Sequence, residues 1–76
     1  GDIINMSEFY YFNKNVDDKG RHEVHTENCN FIPRVGNREY IGYFSNSIYA
    51  IHEAQRKYPY KKFDGCYFCC NETHKG

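Results

Sequence analysis

Apolar residues fall into short runs separated by polar stretches, and each run has its own period. Phe9-Tyr10-Tyr11-Phe12 is an unbroken aromatic run of high strand propensity. It leads into Asn15-Val16-Asp17-Asp18-Lys19-Gly20, a hairpin loop with a glycine placed for positive φ. Arg21 to Thr26 is the predicted return strand. Val24 is its only strongly apolar residue, which predicts a strand exposed on one face or lying at an edge. The stretch from Asn28 to Arg38 holds Pro33 and Gly36 and reads as a loop, with Phe31 and Ile32 anchoring it to the core. Glu39 to Phe44 is the third predicted strand.

The period then changes. Ser47, Ala50, Ile51, Ala54 and Tyr58 share one face of a helix, behind three candidate N-caps in Ser45, Asn46 and Ser47. Ala50 and Ala54 let that helix lie close on a sheet, and Pro59 ends it. The predicted fold is α+β: a small three-stranded antiparallel sheet, one helix across it, and a cysteine knuckle after it. Residues 9–70 form the module, with 1–8 and 71–76 as flexible tails.

Length makes the cysteines matter. A chain of 76 residues is one domain with a marginal core, and such chains often need a metal, disulfides or a partner as a staple. The apolar runs are no longer than five residues, too short for a membrane helix. Residues 1–20 lack the apolar segment of a signal peptide. The expected setting is cytoplasmic. Because the first residue is Gly1, the chain reads as a processed or excised segment, with Met6-Ser7 as a candidate natural start.

Cys66-x2-Cys69 has knuckle spacing, in which two thiolates from one tight turn reach one ion. Gly65 supplies backbone freedom for the turn. His25-x3-Cys29 is a second half-site at a strand end. His25, Cys29, Cys66 and Cys69 together make a Cys3His set, a common structural zinc composition. Cys70-x3-His74 keeps alternatives open: Cys70 could replace Cys69, and His74 could replace His25. His25 is preferred because His74 lies two residues from the C-terminus. His22 would face away from His25 if strand alternation holds, and His52 is a surface or core residue of the helix. Competing readings are two disulfides, for which three pairings exist, and a redox dithiol, which lacks the usual βαβ setting.

These residues resemble a known family. Val24-His25-x3-Cys29, a strand, a helix with Glu53-Ala54 and a terminal Cys66-x2-Cys69 are similar to the N-terminal metal-binding domain of the Ada DNA-alkylation repair protein. Short Ada-like modules of nucleases and competence proteins share the pattern. The resemblance covers about residues 9–70. It implies a bound zinc ion and a nucleic-acid partner. The chain departs from the family at His25, where Ada carries the cysteine that accepts a methyl group. Imidazole cannot do that thiolate chemistry. The gap of 36 residues between Cys29 and Cys66 is also longer than the family's. The resemblance therefore implies a structural zinc site rather than methyl transfer.

Charge adds a second surface. Ten basic and ten acidic residues cancel, which argues against binding nucleic acid by bulk charge. The balance is uneven: residues 1–30 carry six acids and three bases, and residues 31–76 carry four acids and seven bases. Arg56, Lys57, Tyr60, Lys61 and Lys62, with Tyr58 and Phe63 among them, are candidate contacts for single-stranded nucleic acid, by ring stacking and phosphate pairing. The competing reading is a solvated helix end. The aromatic run Phe9–Phe12 has apolar character on both faces, so one face could pack on the helix and the other form a homodimer. No glycine-rich phosphate loop or activated nucleophile is visible. The functional expectation is a non-catalytic zinc-binding module that contacts nucleic acid or a protein. The alternatives are a thiol-based protein (redox or methyl acceptor) and a disulfide-stapled module that binds protein.

Overall fold

The computed structural model describes residues 6–76. Most of the expected N-terminal tail lies outside the described residues. Strand β1 (Glu8–Val16) pairs antiparallel with β2 (Arg21–Thr26). The turn between them is built by Asp17. Its Oδ1 accepts from the backbone N–H of Lys19 at 2.9 Å and of Arg21 at 3.0 Å. Gly20 turns the chain with φ +76°, a conformation that favours glycine.

Strand β3 (Arg38–Phe44) lies antiparallel on the other side of β1. Helix α1 (Ser47–Lys57) follows, capped by Asn46, whose side chain accepts from the N–H groups of Ile48 and Tyr49. A fourth strand, β4 (Lys62–Gly65), then pairs parallel to β2. The sheet order is β3-β1-β2-β4.

The fold class is α+β, as the sequence predicts, but the sheet is four-stranded and mixed rather than three-stranded and antiparallel. β2 is therefore an interior strand, not an edge. Its His22, Val24, His25 and Thr26 are all buried. Ladder pairing on both sides, rather than apolar content, is what covers this strand.

Strand alternation divides the sheet into two faces. Tyr10, Phe12, Val24, Ile41 and Phe63 point to α1 and pack with Ala50, Ala54 and Cys70. Burying each of the larger of these side chains stabilises the fold by roughly 1.5–3 kcal/mol. The two alanines let the helix sit close, as their spacing predicts. Phe9, Tyr11, Tyr40 and Tyr43 form an aromatic ladder, with Phe9 4.6 Å from Tyr43 and Tyr11 5.3 Å from Tyr40 between ring centroids. His22 packs between Phe12 and Phe63 on the helix side.

Residues 71–76, expected to be a tail, return to the body of the molecule. Ser47, buried at the helix N-terminus, donates from Oγ to Glu72 at 2.7 Å and from its backbone N–H at 3.2 Å. His74 Nδ1 lies 3.0 Å from the carbonyl of Gly65, and the Lys75 N–H reaches Asp64 Oδ1 at 2.6 Å. Gly65 has no positive φ. It is small because the chain returns against it: an added Cβ would lie 2.0 Å from Thr73 Oγ1 and 2.5 Å from the carbonyl of Cys70. No helix of the described residues is long and apolar enough to cross a membrane.

Candidate metal centre

Four side chains from three parts of the chain converge at one end of the sheet. His25 comes from the end of β2, Cys29 from the turn that follows it, and Cys66 and Cys69 from the turn after β4. Their ligand atoms all lie within 4.8 Å of one another. The hydrogen bond from the Cys66 N–H to Val24 O, at 2.9 Å, extends the β2–β4 ladder and carries the knuckle to His25. Further turn bonds, Cys29 N–H to Thr26 O and Cys70 N–H to Cys66 O, shape the two half-sites.

The donor geometry suits one tetrahedral ion. Two sulfurs about 2.3 Å from a shared zinc would stand about 3.8 Å apart. The Sγ atoms of Cys29 and Cys66 are 3.9 Å apart. All four cysteines of the chain are free, and no pair stands at disulfide bonding distance.

His25 carries the sharpest signal. It is 1% exposed, and its Nδ1 is the single buried side-chain nitrogen or oxygen without a hydrogen-bond partner among the described residues. An orphaned buried polar atom is costly unless something satisfies it. Its other nitrogen, Nε2, lies 3.1 Å from Oε1 of Glu23. That contact places the imidazole proton on Nε2 and leaves the Nδ1 lone pair for an ion, the usual carboxylate–histidine–metal arrangement.

The sulfurs are supported from the backbone. Cys29 accepts from the Phe31 N–H and Cys69 from the Thr26 N–H, each at 3.4 Å. The N–H groups of Phe68 and Cys69 favour the Cys66 thiolate. Burial outweighs them in the chain alone and pushes the Cys66 thiol up to about 12. Burial likewise raises Cys29, while the neighbouring Cys70 thiol and burial raise Cys69. Burial lowers His25 to about 4. A nucleophilic or redox thiol needs the opposite shift. These are neutral soft donors that a divalent cation would deprotonate.

The alternative ligands go elsewhere. Cys70 is fully buried in the core between sheet and helix, with its Sγ 3.6 Å from that of Cys69. His74 is spent on Gly65 and on Asp64, 3.9 Å away. His52 is exposed on α1.

The basic patch is dispersed. Arg56 is paired with Glu53 through two bonds of 2.9 Å, and Lys57 approaches the same carboxylate at 3.9 Å. Lys61 sits 5.8 Å over the Tyr58 ring, and Lys62 lies exposed on β4. Of the three aromatics, Phe63 is in the core and Tyr58 packs edge-on to Phe12 while its hydroxyl donates to Glu39. Tyr60 alone stands open, at 98% exposure. One open ring is not a stacking platform.

Sequence reasoning missed Glu23, although its spacing of two from His25 on one strand places both on the same face. It also placed Phe31 in the core. Phe31 is instead exposed and stacks on Phe68, with centroids 4.4 Å apart and planes at 18°. Phe31 follows one ligand by two residues and Phe68 lies between two others, so the ligand turns themselves carry this stacked pair. No family model matches the chain, and no curated protein or solved structure matches it.

Proposed function

We propose that the chain is a zinc-stabilised, non-catalytic binding module. The observation that carries this reading is the buried His25, whose Nδ1 has no hydrogen-bond partner and whose ring lies within reach of three cysteine sulfurs. Three sulfurs and one imidazole within 4.8 Å of one another favour zinc over harder cations, which prefer oxygen. Four protein ligands leave no open position for a catalytic water, so the ion's chemistry would be structural. It would tie the end of β2 to the turn after β4. The half-site order shared with Ada-type domains belongs to the same proposal. With His25 at the position of that family's methyl-accepting cysteine, the ion holds the fold rather than activating a thiolate. Binding, rather than catalysis, is supported by the exposed aromatics that the scaffold displays.

Elemental analysis of purified protein, with thiol counting, tests the reading. One zinc per chain and four titratable thiols after denaturation are expected. Cys66→Ser should lose the ion and much of the fold, because structural zinc contributes folding free energy directly. A metal-free protein that keeps its far-UV signal and thermal transition would overturn the proposal.

A further inference from the structure

The metal centre shares its face of the sheet with the aromatic ladder. Tyr11 stands opposite His25 across β1 and β2, and opposite Tyr40 across β1 and β3. Phe9 stands opposite Tyr43. One row of rings thus runs from edge strand β3 to the metal site. Phe9 and Tyr43 are 43% and 45% exposed. Single exposed aromatics are ordinary, but a contiguous set of them marks an interaction surface.

Beside this row opens a cleft of about 250 Å3, lined by Phe9, Tyr43 and Glu27; Glu8, also at its rim, alternates with Phe9 along β1 and turns its side chain toward the other face. Glu27 is held there by the structure. Its Oε1 accepts from the Tyr11 hydroxyl at 3.2 Å, and its backbone N–H donates to the carbonyl of Phe9 at 2.9 Å. Aromatic faces attract cations, and a flanking carboxylate strengthens the preference. The molecule supplies its own example on the same ladder: the Arg38 guanidinium carbon lies 4.9 Å from the centre of the Tyr11 ring. Three thiolates around a divalent ion would add a net charge of about −1 at the other end of the row. Glu27 and that charge would favour a cation over a phosphate beside Phe9 and Tyr43.

We infer that the cleft docks an arginine-bearing basic segment of a partner protein, with a guanidinium over Phe9 and Tyr43 and paired to Glu27. Arginine fits better than lysine because its planar group both stacks on rings and forks onto carboxylates. The inference names the partner of the binding module proposed above and rests on that reading, but not on which ion the module holds.

The test uses the full chain, with zinc content and far-UV spectrum recorded for every variant. Dye-labelled hexa-arginine, hexa-lysine and a single-stranded oligonucleotide are titrated at low salt and followed by anisotropy. Hexa-arginine should bind several-fold more tightly than hexa-lysine, and the oligonucleotide should not compete. The Glu27→Gln variant should weaken hexa-arginine by about tenfold, given the coupling typical of close charge pairs. Phe9→Leu, which keeps bulk and removes the ring, should weaken it several-fold. Hexa-arginine binding that ignores both variants, no binding by folded zinc-loaded protein, or preference for the oligonucleotide would each overturn the docking inference and leave the zinc reading standing. Folded protein that binds hexa-arginine through these residues yet holds no metal would support the cleft and overturn the zinc reading.

Discussion

Glu23 and His25 lie two residues apart on β2, and the Oε1 of Glu23 stands 3.1 Å from the Nε2 of His25. The carboxylate fixes which nitrogen carries the proton and so aims the other at the three sulfurs. Losing such a partner typically lowers metal affinity 10–100-fold. Glu23→Gln is therefore expected to weaken zinc binding by about that factor without removing it. Competition against a chromophoric chelator measures this directly. Unchanged affinity would mean that Glu23 does not orient the ligand.

Proton release offers a second check. Burial raises the Cys29 and Cys66 thiols, and the Cys70 thiol together with burial raises Cys69, so all three are protonated at pH 7. Burial lowers His25 to about 4, so it is already neutral there. Zinc binding at pH 7 should release close to three protons, one per cysteine, and acid should drive the ion off. Calorimetry in buffers of different ionisation enthalpy counts them. A count near two would indicate that one sulfur is not a ligand.

Gly65→Ala should destabilise the protein even though β4 is ordinary extended backbone. The new methyl would meet Thr73 Oγ1 and the Cys70 carbonyl well inside contact distance. Overpacking of this kind costs about 1–3 kcal/mol. Because Gly65 adjoins Cys66, the variant should also bind zinc more weakly. Urea unfolding of the zinc-loaded form reads the first effect and chelator competition the second.

Ser47→Ala removes both a helix-terminal contact and a link to the C-terminal turn. The Ser47 hydroxyl holds the Glu72 carboxyl below its ordinary value. A depressed carboxylate contributes stability that is present above the unfolded value and lost as pH falls through the folded one. The variant should be less stable by about 0.5–1.5 kcal/mol at pH 7, the range of an ordinary hydrogen bond, since solvent screens the exposed Glu72 carboxylate. That difference should be the same at pH 6 and close only below the normal glutamate range. Denaturant melts of both proteins across this range provide the check.

How much of this was legible depends on distance along the chain. The β1–β2 hairpin and the Ala50/Ala54 face are local patterns, each where the sequence places it, and Asn46 is one of the three caps the sequence offers. The Cys66-x2-Cys69 spacing is local too, and His25-x3-Cys29 spans a single turn. β4 was not legible, because four residues with one core side chain, Phe63, carry no period, and the pairing with β2 joins segments about forty residues apart. The same long-range pairing conceals that β2 is interior. Phe31 misled because an apolar side chain in a loop suggests burial, whereas its stacking partner Phe68 lies in a turn far along the sequence.

The ligands' positions along the chain have a mechanical consequence. Cys29 and Cys66 bracket β3, α1 and β4, so an ion held by both closes a ring around most of the second half of the molecule. Tyr60, 98% exposed, is an open point on that ring. A protease that cuts there would leave two fragments, one ending just past the helix and the other beginning near β4. With the ion in place they would migrate together as one particle, and a chelator would let them part. The wholeness of the nicked protein would then reside in a coordination bond rather than a peptide bond.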